Sequence, residues 1–115
     1  MIRQARTAFL ALALVTSMVA AGAAETEIRA LIQAIAESGC QFDRNGSQYS
    51  AQEAAKHLER KYAQGKRYGY SAEQFIEHLA SGSSWSGKPY WMICGMKTTQ
   101  TGEWLTETLG AMRAF

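Results

Sequence analysis

Seven residues, Gly82-Ser83-Ser84-Trp85-Ser86-Gly87-Lys88, fit the G-x-x-x-x-G-K pattern of a nucleotide phosphate loop. That loop needs a Ser or Thr next, to hold magnesium, and it leads from a strand into a helix. Here Pro89 follows, and the flanking patterns read helix before and strand after. Nucleotide binding is therefore excluded, and no cofactor is expected. A lesser chemistry survives. Serine hydroxyls, backbone N–H groups and the Lys88 ammonium could cradle an anion, or could simply make a tight connection. Serine catalysis fails on spacing. Ser84 to Lys88 is one residue too long for S-x-x-K, and Gly82 to Ser86 lacks the second Gly of G-x-S-x-G. A Ser-His-Asp set would require Asp43, the sole Asp, with His57 or His78, and nothing in the sequence orients them.

His57 borders the apolar stripe of a predicted helix, where it either ties a loop down by a hydrogen bond or titrates near neutrality. His78 reads as solvated. With no C-x-x-C or H-x-x-x-H spacing, no metal is expected. Cys40 and Cys94 are an even count, which in an oxidising compartment means one disulfide; the alternatives are two buried thiols or a metal site with His57 and His78. Trp85, Tyr90 and Trp91 cluster within seven residues. Alternation along a strand puts Tyr90 and Trp91 on opposite faces, so one is covered and the other is a candidate binding surface.

The elements that must position these groups follow from periodicity. Ile28, Leu31, Ile32 and Ile35 recur at i, i+3, i+4, i+7, which predicts a helix over Glu25–Ser38 with Gly39 as its stop. Cys40 to Arg44 alternates as a short strand, and Asn45-Gly46 is a turn. Ser50-Ala51-Gln52-Glu53 is a capping box that opens a second helix at Ala51, running to about Ala63 before Gly65. Ala54, Leu58 and Tyr62 are its expected buried stripe. Ser71-Ala72-Glu73-Gln74 opens a third, with Ala72, Phe75, Ile76 and Leu79 inward. Pro89 to Cys94 is a second strand, Gly95 to Gln100 a loop, and Thr101 the cap of a last helix to about Arg113. No internal repeat is visible. The expected fold class is α+β, about four helices packed on a minimal two-stranded sheet, in one small domain.

The N-terminus addresses the chain. Arg3 and Arg6, the apolar run Ala8 to Val15 and small residues through Ala24 have the order of a secretory signal peptide, cleaved after Ala23 or Ala24. The apolar run is shorter than the ~20 residues of a spanning helix. The expected division is residues 1–24 as leader and 25–115 as the mature domain, periplasmic and detached from the membrane. Removing Arg3 and Arg6 leaves ten bases against ten acids, a net charge of zero. There is then no basic excess to drive nucleic-acid binding.

Phe42-Asp43-Arg44-Asn45-Gly46, then Ala54 and His57-Leu58, then Phe75-Ile76, then Ala80-Ser81 and Ser84-Trp85-Ser86-Gly87-Lys88-Pro89-Tyr90, together resemble the YfeK-like family of small exported bacterial proteins. The resemblance spans the mature chain. It implies a periplasmic location, a Gram-negative source and a domain of unknown function with no established activity. In that family the Cys pair occurs in some members only. If the two strands are antiparallel neighbours, the end of the first meets the start of the second. Arg44, Asn45, His57, Ser84, Ser86 and Lys88 could then form one polar patch for a carboxylate, phosphate or peptide terminus, or a network that holds the Ser loop down. The expected function is a monomeric, non-enzymatic binding or adaptor domain for a periplasmic protein or envelope ligand. The alternatives are a small hydrolase using His57 and a loop serine, and an inhibitor of an envelope-degrading enzyme.

Overall fold

A computed structural model of the chain describes residues 22–114. The expected leader therefore lies, up to residue 21, outside the described residues. Helix α1 covers residues 22–37, and its stripe of Ile28, Leu31, Ile32 and Ile35 is buried as its spacing requires. Strands β1 (Gln41–Arg44) and β2 (Ser47–Tyr49) form a hairpin, followed by α2 (Ala51–Gln64). A 3₁₀ turn at Lys66–Tyr68 leads to α3 (Ala72–Phe75), which widens into a π turn at Ile76–Ala80. A second hairpin, β3 (Trp91–Cys94) and β4 (Lys97–Gln100), is followed by α4 (Thr101–Arg113).

The α+β class and the four helices stand, but the sheet has four strands, not two. It is antiparallel throughout, in the order β2-β1-β3-β4. The two added strands are the edges. Their sequences, Ser47-Gln48-Tyr49 and Lys97-Thr98-Thr99-Gln100, carry no apolar alternation, because an edge strand needs backbone pairing more than burial. Both hairpins turn in two residues. Asn45 (φ +54) and Gly46 (φ +85) both adopt positive φ, as a type I′ turn demands, while Gly95 alone does so (φ +65) in the second turn.

Helices cover one face of the sheet. Phe42 and Met92 point into the core with Phe75, Leu31 and Leu105. Trp91 lies on the opposite face and is exposed. Helix α2 begins at its capping box as predicted, with Ser50 Oγ accepting from Glu53 N at 3.1 Å and Glu53 Oε1 accepting from Ser50 N at 3.1 Å. Its buried stripe is Ala51, Ala55, Leu58 and Tyr62, rotated from the expected one so that Ala54 is only partly covered. Thr101 is not a cap. It is the first residue of α4, and Gln100 precedes it without a side-chain capping bond. Arg113, at the end of α4, forks onto Glu27 of α1 (2.7 and 2.8 Å) and Glu73 of α3 (2.9 and 2.9 Å).

The two halves of the domain repeat, although the sequence shows no repeat. A shift of 50 residues lays Cys40–Ala51 on Tyr90–Thr101 with the same sequence of buried and exposed positions. A shift of 44 lays Ile28, Leu31, Ile32 and Ile35 on Ala72, Phe75, Ile76 and Leu79. The difference is the six-residue stretch Ser83–Lys88, present in the second half only. The register agrees with a local two-fold through the Phe42–Met92 pair, since Gln41 faces Ile93 and Asp43 faces Trp91. Extending it one residue each way sets Cys40 opposite Cys94 and Arg44 opposite Tyr90. Cys40 and Cys94 do form the disulfide, with Cα atoms 4.6 Å apart, the spacing of a non-hydrogen-bonded antiparallel pair.

Candidate functional site

Where one end of the β1–β3 ladder is closed by the disulfide, the other end is polar. Arg44 is half-buried at the last position of β1, on the helix-facing side with Phe42. Tyr90, just before β3, is buried and extends its phenol beneath α2. His57 and Lys61 stand one turn apart on α2 and meet it there. His57 Nε2 lies 3.2 Å from Tyr90 Oη, and Lys61 Nζ donates to the same oxygen at 3.1 Å and to Gly82 O at 3.0 Å. Because Tyr90 Oη accepts from Lys61, its own proton is free to point at His57 Nε2. The donor and acceptor in the His57–Tyr90 bond follow from which ring nitrogen carries the imidazole proton.

Burial, followed by the charges of Arg44, Lys61 and Arg60, drives the His57 pKa down to about 4. The ring is neutral at physiological pH. Burial also lowers the Lys61 ammonium, with Arg44 adding to the effect, and raises the Tyr90 phenol against the pull of Arg44. Tyr90 therefore stays protonated, which makes it a hydrogen-bonding group and not a base.

Arg44, His57 and Tyr90 border a cavity of about 210 Å³. Its apolar wall is Phe42, Ala54, Leu58 and Tyr49, and its polar wall includes Arg44, His57, Tyr90 and Thr101. Lys56 and Arg60 stand at its exposed rim. The Arg44 guanidinium lies 4.5 Å from the Tyr49 ring centre and, among the described residues, makes no ion pair. The two carboxylates nearby are already engaged by their own backbone: Asp43 Oδ1 accepts from Gly46 N at 2.9 Å, and Glu53 belongs to the capping box. Thr101 is 1% exposed, and its hydroxyl finds no hydrogen-bond partner. Buried hydroxyls without partners are rare and call for an explanation.

The repeat shows which residues take the place of the cavity's lining in the second half. The counterparts of Arg44, Tyr90 and Ala54 are Cys94, Cys40 and Trp104. In the second half the disulfide closes the ladder end, and Trp104 packs against the core beside Cys94. In the first half a small Ala54 stands where that indole would be. Thr101 likewise has an alanine counterpart, Ala51.

The residues proposed from sequence as one patch divide into three groups. Arg44 and His57 line the cavity. Asn45 and Ser86 belong to a network that anchors the loop: Ser86 Oγ donates to Asn45 Oδ1 at 2.6 Å, and Asn45 Nδ2 donates to Ser83 Oγ at 3.3 Å. Ser83, buried and absent from the proposed patch, is the hub. Its Oγ also accepts from Trp85 N (3.2 Å) and Ser86 N (3.1 Å), and Lys88 N donates to Ser86 Oγ at 3.3 Å. The N–H groups an anion would need are thus used within the loop. Ser84 and Lys88 are exposed, and their side chains take no part in the network. Neither serine hydroxyls nor Asp43 bond the His57 ring. Among the described residues no three of His, Cys, Asp and Glu gather in a metal-holding cluster, and no helix is long and apolar enough to cross a membrane. Sequence reading passed over Lys61, although its place four residues after His57 puts it on the same helix face. It treated Thr101 as a cap and Tyr90 only as one member of an aromatic cluster.

Comparison with known proteins agrees with the sequence resemblance. The chain is 40% identical over 67 residues to the uncharacterized protein YfeK of Salmonella typhimurium, a match that covers 57% of this chain and 56% of that protein. No solved structure matches. Residues 22–113 match the family of unknown function DUF5329, and the chain belongs to that family.

Proposed function

We propose that the protein is an exported, non-enzymatic binding domain, and that the cavity between α2 and the sheet receives an anionic group. The observation that carries this is a half-buried Arg44 on the wall of that cavity with, among the described residues, no carboxylate partner. Half-burying a cation without a counter-charge is unfavourable, and an anion with acceptor oxygens would relieve it. The leader pattern of residues 1–24 and the disulfide support export, and a periplasmic protein or envelope component is the partner that location offers. A partner protein could also engage Trp85, which is 93% exposed on the anchored loop and supports the adaptor and inhibitor readings. The hydrolase alternative gains nothing from the geometry, since the His57 ring bonds a tyrosine in place of a serine.

The test is an NMR titration of the folded domain with acetate, benzoate and inorganic phosphate. Saturable shifts at Arg44, His57, Tyr90 and Thr101, abolished in Arg44→Gln, are expected. An absence of shifts at those four residues with every anion overturns the proposal.

A further inference from the structure

The size and lining of the cavity narrow what its occupant is, given the anion-binding reading above. A volume of about 210 Å³ is below the ~300–1,000 Å³ of pockets that enclose a whole small-molecule ligand. It holds one small acid or the end of something larger. Its inner charge is modest. Arg44, stacked on Tyr49, is the inner cation with no carboxylate partner among the described residues, and Lys61 already donates to Tyr90 Oη and Gly82 O. His57 is neutral, and Asp43 and Glu53 border the same space. That balance suits one negative charge; a phosphate dianion would face two nearby carboxylates with one inner cation. Arg44 offers the paired N–H geometry that fits a carboxylate. Beside it, Phe42, Ala54, Leu58 and Tyr49 form an apolar wall that an acid alone, such as acetate, would leave uncovered.

We infer that the cavity is a receptor for the C-terminal residue of a peptide or protein, its free carboxylate on Arg44 and its apolar side chain against Phe42 and Leu58. The chain leading to that residue leaves past the exposed rim of Lys56 and Arg60. Capture of a chain terminus by a carboxylate site beside an apolar pocket is an established way of reading peptide ends. Arg44, Phe42 and Leu58 come from one half of the repeat, and in the other half Trp104 stands at the position of Ala54.

The experiment measures binding of N-acetyl-Ala-Ala-Leu with a free carboxylate, the same peptide as its C-terminal amide, N-acetyl-Ala-Ala-Gly with a free carboxylate, and inorganic phosphate. Titrations use the oxidised domain and follow cavity resonances. The inference expects the Leu acid to bind best and the amide to be about 10–100-fold weaker, the loss that goes with a charge-assisted hydrogen-bond pair. The Gly acid should be weaker as well, for lack of an apolar side chain. Arg44→Gln should remove the acid–amide difference. Ala54→Trp, which copies Trp104, should remain folded with its disulfide formed and should bind none of the peptides. Should that variant unfold, Arg44→Gln and the acid–amide comparison still decide. Equal binding of acid and amide, or tighter binding of phosphate, overturns the inference. Binding of acetate and benzoate but of no peptide also overturns it while leaving the anion site in place. Silence of the cavity toward every probe overturns both readings.

Discussion

Reducing the Cys40–Cys94 bond isolates what the covalent closure contributes. The sulfurs are 54 residues apart in sequence. The chain-entropy relation for a loop of that length gives about 14 cal/mol/K, or about 4 kcal/mol at 25 °C. A domain of this size has a total stability of about 5–14 kcal/mol, so the bond is a large share of it. The native pairing adds little strain to the balance, because the β1–β3 register already sets the two residues directly opposite. Reduction also keeps both sulfurs in place, and Cys40, 8% exposed, leaves no large cavity. Urea unfolding with and without a phosphine reductant should show a loss of about 4 kcal/mol, and thermal unfolding a fall of about 15–30 °C. A loss under about 1 kcal/mol would refute the reasoning. It would mean that the unfolded chain is already held compact, or that the ladder closes that end unaided.

Three further outcomes follow from the same contacts. His57 titrates at about 4 in the folded domain against 6.5 ordinarily, so the unfolded chain takes up its proton first. Its contribution to stability is full above pH ~6.5 and is lost as pH falls toward 4, by about 1–2 kcal/mol after allowing for solvent screening of a partly exposed ring; in His57→Gln that part of the pH dependence should flatten, and an unchanged slope in denaturant unfolding contradicts it. Asn45→Gly keeps the positive φ but loses the bonds to Ser83 and Ser86, while Asn45→Ala loses both, so Ala should be less stable than Gly by about 1–2 kcal/mol; equal stability would show that the side-chain bonds dominate. Arg113 holds the Glu27 and Glu73 carboxylates below the usual range, so Arg113→Ala should lower the melting temperature in low salt and the deficit should shrink in 1 M salt; a deficit indifferent to salt would assign the effect to packing.

The parts of the fold that rest on burial were readable in the sequence, and the parts that rest on backbone pairing alone were not. The stripes of α1 and α3 repeat at helical spacing, and Ser50 and Glu53 state where α2 begins. Phe42, Met92 and the two cysteines alternate because one face of their strands is covered. Ser47–Tyr49 and Lys97–Gln100 are edges whose side chains have little to bury, so nothing in their residue types separates strand from loop. The Asn45-Gly46 turn was legible, yet without the second strand it did not read as a hairpin. The candidate site was half legible for a similar reason. Antiparallel neighbours do bring the end of β1 to the start of β3, which places Arg44 by Tyr90 and close to His57. The loop serines were a plausible part of one patch only while their partners were unknown; Ser83 accepts three N–H groups and turns that segment inward on itself. The cavity could not be foreseen, because its walls come from β1, β2, α2 and the segment before β3, and only their packing brings Arg44, Tyr49, Leu58 and Tyr90 around one space.

The claim that Arg44 awaits an anionic partner is tested most directly at the guanidinium itself. The Nε–H resonance of Arg44 can be followed in side-chain ¹H–¹⁵N spectra while the acid form of N-acetyl-Ala-Ala-Leu is added at constant ionic strength. A saturable shift of that resonance, with slowed exchange with water and no comparable change for the amide form, is the predicted result. Weak, non-saturating shifts confined to the exposed Lys56 and Arg60, with Arg44 unmoved, would contradict it.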